Sequence, residues 1–204
     1  SKVPNLLSGL KQAYLRTPNS PAGLGNEYEK AVKRNPTGNA LLFEDQKYTY
    51  TELNQWANQI AHYYLALGAK KGDVIAVMVE NRSELVATIV ALAKIGVTTA
   101  LVNTAQIGKV LAHSVNLVNP IALIVGDECR QAVDDIRQDL NLPEDRFYWF
   151  ADQATRQDVG RAPQGYINLA EAIQSFPTFN TSTTHSVKGK DGLFYIYTSG
   201  TTGL

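Results

Sequence analysis

The chain has 204 residues, and its 19 Lys+Arg balance its 19 Asp+Glu, so the formal net charge is zero. That balance, with no block of five like charges, excludes a protein built to neutralise many nucleic-acid phosphates and excludes a charged disordered tail. Cys129 is the lone cysteine, which excludes an internal disulfide framework and a multi-cysteine metal site, and no apolar run reaches the roughly 18 residues of a helical membrane span.

The length suits one or two globular domains. Residues 1–39, broken by Pro4, Pro18, Pro21 and Pro36, read as an N-terminal arm with a short helix over 27–34. Residues 40–204 form the body. Ala40–Phe43 and Tyr48–Thr49, around a polar 44–47, read as a hairpin. Thr49 and Glu52 have capping-box spacing for the helix that follows, and Tyr48 and Leu53 stand at its staple positions. Leu53, Trp56, Ala57, Ile60, Tyr64 and Leu67 share one face of that helix, and Gly68 ends it.

Asp73–Val79 is apolar on both faces, as a buried parallel strand is. Asn81–Ile95 reads as a helix, with Asn81 and Glu84 at capping spacing and Gly96 as its stop. Leu85 and Ile89 are assigned to its buried face. Strand 97–102, helix 107–118 and strand 121–125 follow. The stripe expected on the second helix is Ile107, Val110, Leu111, Ser114 and Val118. Asp127 is placed as the cap of a helix running to about Leu140, before a strand at Phe147–Phe150. A helix near Leu169–Ser175 and a Ser/Thr-rich loop at 178–184 lead to a strand at Leu193–Tyr197. Successive strand–helix units imply an α/β fold with a doubly wound parallel sheet, the helices 50–67, 82–95 and 107–118 serving as crossovers.

The strand at 193–197 runs into Thr198-Ser199-Gly200-Thr201-Thr202-Gly203-Leu204. Gly200 and Gly203 permit close backbone approach and positive φ, and successive N–H groups can form an anion nest. Thr198, Ser199, Thr201 and Thr202 add hydroxyl donors and Mg²⁺ ligands. A plain Ser/Thr turn has the same composition. The stretch is not a Walker A loop, since no Lys follows Gly203.

Tyr197-Thr198-Ser199-Gly200-Thr201-Thr202-Gly203 resembles the phosphate loop of the AMP-forming adenylating superfamily, which includes acyl-CoA synthetases, luciferases and peptide-synthetase adenylation domains. Tyr48–Leu53, Gly72–Ala76 and Leu92–Gly96 resemble further family segments. Glu80–Glu84 and Ala100–Thr104 resemble the branch of fatty-acid-transport proteins and very-long-chain acyl-CoA synthetases. An Arg often found after the Asn-Thr pair is absent here, where Gln106, Ile107 and Gly108 follow.

The resemblance implies a ligase that joins a fatty acid to AMP with ATP and then passes the acyl group to CoA. It implies that Thr198, Ser199, Gly200, Thr201, Thr202 and Gly203 hold the ATP phosphates and that Thr198 ligates Mg²⁺. It also implies an N-terminal piece of a longer enzyme, truncated within the phosphate loop and inactive by itself, with no catalytic residue of its own. A peptide-synthetase-type adenylation domain loading a carrier protein, and a non-enzymatic α/β interaction module, are the alternatives. Nucleic acid is not an expected partner. The expected location is cytoplasmic, or peripheral at the inner face of a membrane, although Lys70-Lys71 alone gives little membrane binding. His62, His113, His185, Cys129, Asp134, Asp135 and Asp139 read as surface or packing residues, and Trp56, Tyr63 and Tyr64 as helix core and rim.

Overall fold

A computed structural model describes residues 17–151 and 161–197. Within them, β3 (Val74–Met78), β4 (Thr98–Leu101), β5 (Ala122–Gly126), β6 (Phe147–Phe150), β7 (Ile167–Asn168) and β8 (Phe194–Ile196) form one sheet. Its order is β7-β6-β5-β3-β4-β8, and every neighbouring pair is parallel. Continuous apolar runs require cover on both faces, and the two faces receive it from different helices. Ile75, Val77 and Ile124 point into a layer made by α2 (Tyr50–Ala66) and α3 (Ser83–Ile95). Ala76, Met78 and Val125 point into the opposite layer, with α4 (Gly108–Leu117) and α5 (Arg130–Asp134).

α1 (Leu24–Arg34) lies against α3, and the short α6 (Leu169–Ala172) follows β7. β1 (Asn39–Phe43) and β2 (Gln46–Thr49) pair antiparallel in a sheet of their own. The hairpin therefore stands apart from the main sheet, and α2 is not a crossover between parallel strands as expected; α3 and α4 are. The capping box at α2 is present: Thr49 Oγ1 accepts from the Glu52 N–H at 3.2 Å, and Glu52 accepts from the Thr49 N–H at 2.8 Å. The Thr49 N–H, with the Thr49 hydroxyl also donating to Glu52 Oε2 at 2.8 Å, holds the Glu52 carboxyl below its ordinary range. Gly96 ends α3 at φ 70°, a left-handed conformation suited to glycine.

Several boundaries and faces differ from the sequence reading. α3 begins at Ser83, with Arg82 rather than Asn81 at its N-cap and no side-chain cap bond. Leu85 and Ile89 are half-buried, because α3 turns Ala87, Val90, Ala91 and Leu92 inward between the sheet and α2. Of the stripe expected on α4, Leu111 and Ser114 are buried and Val118 packs partly on the core, but Ile107 and Val110 are exposed, and Ala112 and Val115 complete the buried face. Leu67 is also exposed, just past the end of α2. The helix expected over 127–140 is instead α5 flanked by 3-10 turns, and Asp127 Oδ1 accepts from Trp149 Nε1 at 2.8 Å instead of capping.

Candidate functional site

After β3 the chain turns to α3 on one face of the sheet; after the adjacent β4 it turns to α4 on the other. Diverging connections at the carboxyl ends of parallel strands leave a crevice between them, the place where open α/β sheets take ligands. A cavity of about 510 Å³ lies there. Val79, Glu80 and Asn81 line it from the β3 end, Val102, Asn103 and Thr104 from the β4 end, and Ile196 and Tyr197 from β8. Leu85 closes its floor with Val77 and Leu101. The volume suits a small-molecule site, and so does an apolar floor under a few polar groups.

Hydrogen bonds hold the β4 and β8 walls. Asn103 Oδ1 accepts from the Ala105 N–H at 2.9 Å, and the Asn103 carbonyl accepts from the Gln106 N–H at 3.0 Å, which folds the β4 end into a tight turn. The Tyr197 hydroxyl donates to the Ser114 carbonyl at 2.8 Å, fastening the end of β8 to α4. Burial, with Tyr195 nearby, pushes the pKa of that hydroxyl above its ordinary value, so it remains a donor at neutral pH.

The β3 wall is held from further away. Glu128 Oε1 accepts from the Glu80 N–H at 2.8 Å, and its Oε2 lies 3.3 Å from Arg82 Nη2. The Arg82 guanidinium also donates to the Ala151 carbonyl at 2.6 Å and the Phe150 carbonyl at 3.3 Å, and Glu84 Oε1 is 3.6 Å away.

Thr198, Ser199, Gly200, Thr201, Thr202 and Gly203 lie outside the described residues, and so does the Mg²⁺ role expected of Thr198. One peptide bond joins Thr198 to Tyr197, which is in the cavity wall. Among the described residues no three His, Cys, Asp or Glu side chains are placed to hold a metal ion. The polar rim offers oxygen ligands, Glu80 and Thr104 among them, the class that Mg²⁺ takes.

The discounted residues stand outside the cavity lining. His62 meets the Phe179 carbonyl at 3.0 Å, and His113 and His185 are exposed. Cys129 is buried, and that burial, reinforced by Glu128, pushes its thiol up to about 12, which makes it inert as a nucleophile. Asp134 is engaged by Arg130 and by the Tyr166 hydroxyl, each at 2.8 Å. Tyr63 and Tyr64 pack edge-on against Tyr148 in the core, and half-buried Trp56 stacks on Tyr48.

The sequence reading had quoted 80–84 and 100–104 for resemblance without giving them a place in the site. The signal that finds them is their position directly after two adjacent parallel strands. Arg82 and Glu128, 46 positions apart, carry no comparable signal.

The profile of the family described as AMP-binding enzyme matches residues 28–204. The medium/long-chain-fatty-acid–CoA ligase FadD6 of Mycobacterium tuberculosis is 32% identical over 202 residues, 99% of this chain and 31% of that protein. Human long-chain fatty acid transport protein 6 is 31% identical over 176 residues, 85% of this chain and 27% of that protein. The chain thus spans about a third of the length of these relatives. The solved structure of the anthranilate CoA ligase AuaEII in complex with anthranoyl-AMP superposes with a TM-score of 0.77 at 21% identity, over 89% of this chain and 33% of that one.

Proposed function

The chain belongs to the AMP-binding enzyme family, and from that membership we propose that it supplies the phosphate-binding part of an ATP-dependent fatty acid–CoA ligase. The observation that carries the proposal is the junction at Tyr197. There β8 delivers the chain into the wall of the switch-point cavity, and Thr198–Gly203 follow at once.

In the proposed reaction a fatty-acid carboxylate oxygen attacks the α-phosphorus of ATP. The bond to the β-phosphate oxygen breaks, giving acyl-AMP and pyrophosphate. The thiolate of CoA then attacks the acyl carbonyl, and AMP leaves. The backbone N–H groups and hydroxyls of Ser199 to Thr202 hold the β- and γ-phosphates while charge grows on the departing pyrophosphate. Thr198 would hold Mg²⁺ through its hydroxyl, and that ion, when bound, neutralises phosphate charge. The Tyr197–Ser114 bond sets where this loop begins, and Val79, Leu85 and Val102 give the cavity apolar lining. The similarity to FadD6 and to fatty acid transport protein 6 supports a medium- to very-long-chain fatty acid as substrate.

Residues 1–39 are proposed as an arm and 40–204 as the body, and the lone buried Cys129 supports a reducing, cytoplasmic setting. No helix among the described residues is long and apolar enough to cross a membrane.

The test is fatty-acid-dependent exchange of pyrophosphate into ATP by the ligase that carries this segment. Thr201→Ala together with Thr202→Ala should slow it about 10²–10³-fold, the loss that follows removal of a preorganised donor. Undiminished exchange would reject the phosphate-loop assignment.

A further inference from the structure

We propose that Arg82 is a positioning residue that, acting through Glu128, holds the Glu80–Asn81 turn in the shape of one cavity wall. The proposal rests on the reading of that cavity as the substrate site. Arg82 itself does not line the cavity, whereas Glu80 and Asn81 do.

The turn has little of its own to hold it. Both residues are exposed, and α3 starts after them with no side-chain cap. Its anchor is the Glu80 N–H on Glu128 Oε1 at 2.8 Å, reached from 48 positions along the chain. Glu128 gets there by folding back over Gly126, where a Cβ would stand 2.1 Å from its Oε1. Any side chain at position 126 would displace the carboxylate.

Arg82 then locks Glu128 from the other side. One guanidinium reaches Glu128 after β5, the carbonyls of Phe150 and Ala151 at the end of β6, and Glu84 at the start of α3. Only the planar fork of arginine offers enough donors in the directions these partners require; an ammonium is a point donor. With Arg82 gone, Glu128 loses the guanidinium that holds its Oε2, and it swings outward. The chain of effect is therefore Arg82 to Glu128 to the Glu80 N–H to the wall.

The experiment follows amide hydrogen exchange across residues 74–83, together with kcat and KM, in the ligase that carries this segment. The variants are Arg82→Lys, Glu128→Gln and the pair combined. Glu128→Gln preserves size and an acceptor oxygen, so it folds even where an Arg82 variant does not. Each single variant should speed exchange at Glu80 and Asn81 about tenfold, leaving Val74–Met78 unchanged. The double variant should match the singles, since the two residues act in series. KM for ATP or fatty acid should rise several-fold with a smaller change in kcat. Unaltered exchange at Glu80 and Asn81, a uniform rise across β3, or additive effects in the double variant would overturn the proposal. Faster exchange with both KM values unmoved would leave Arg82 a strut and remove substrates from this cavity. That outcome refutes the functional reading rather than the latch.

Discussion

Arg82 and Lys94 sit at opposite ends of α3, and both are buried, yet they collect different partners. Lys94 Nζ meets Glu29 Oε1 at 2.9 Å, Asn58 Oδ1 at 2.7 Å and Asn180 Oδ1 at 3.0 Å, groups 65, 36 and 86 positions away. It thereby joins α1, α2 and the 178–187 loop to α3, far from the strand ends. Arg82 instead gathers groups at the carboxyl ends of β5 and β6 and beside its own helix start. A flexible ammonium set among side-chain oxygens ties separate elements into one packing arrangement. A planar guanidinium set among backbone carbonyls and carboxylates gives a loop its shape. On the proposed reading, the first end of the helix serves the site and the second serves the fold.

The sharpest way to break that contrast is at Lys94. Lys94→Ala leaves Glu29 buried without a counter-charge, and it should cost about 3–5 kcal/mol in urea unfolding. A loss below about 1 kcal/mol would show that water reaches Glu29 and that the network is not a fold determinant. Pairing Lys94→Met with Glu29→Gln should recover much of the loss, because apolar replacement of a whole buried pair is often near neutral.

Gly25→Ala probes the same region without touching charge. A Cβ at Gly25 would lie 2.8 Å from Lys94 Cα and 3.0 Å from its N, so α1 must shift off α3. The expected cost is about 1–3 kcal/mol by thermal unfolding, the range of overpacking. Thr49→Ala, at the start of α2, should cost only about 1 kcal/mol for the lost cap.

The smallest effect is a pH dependence. Desolvation, opposed by Glu29, holds the Lys94 ammonium below its ordinary 10.5, so over the window between the two values the unfolded chain binds this proton more readily. Stability contributed by this group must rise with pH across that window. Half-buried Tyr28 and buried Tyr63, Tyr64 and Tyr166 have the opposite sign. Burial raises their ionisation above the ordinary 10.0, so the stability they contribute is present below that value and is lost as pH climbs past it. Urea midpoints measured from pH 7 upward should therefore pass through a maximum, and Lys94→Met should flatten only its rising side.

The sequence made the sheet legible because Val74–Met78 and Ala122–Gly126 are apolar on both faces, a pattern that survives any tertiary detail. Thr49–Glu52 and Gly96 were legible because caps are local. Lys94 was not, since a lysine in the last turn of a helix has the look of a charge complementing the dipole, and its partners obey no spacing rule. The start of α3 was misread for a related reason: Asn81 fits a capping pattern, but Arg82 is drawn to distant carboxylates and carbonyls. At the site, the expectation of a phosphate loop at Thr198–Gly203 falls outside the described residues, and the cavity walls at 79–81 and 102–104 became visible only when the strand order was known.

The most direct test of the account compares two depressions on the protein. The cavity at the ends of β3, β4 and β8 is one; an open groove of about 390 Å³ beside Trp56, lined also by Lys47, Glu52 and Gln174, is the other. Amide hydrogen exchange of the ligase that carries this segment, with and without ATP and Mg²⁺, should show slowed exchange at 79–81, 103–106 and 198–203 and none at 47–59. Protection confined to 47–59, or absent from 79–81 and 103–106, would contradict the placement of the nucleotide site at the strand ends.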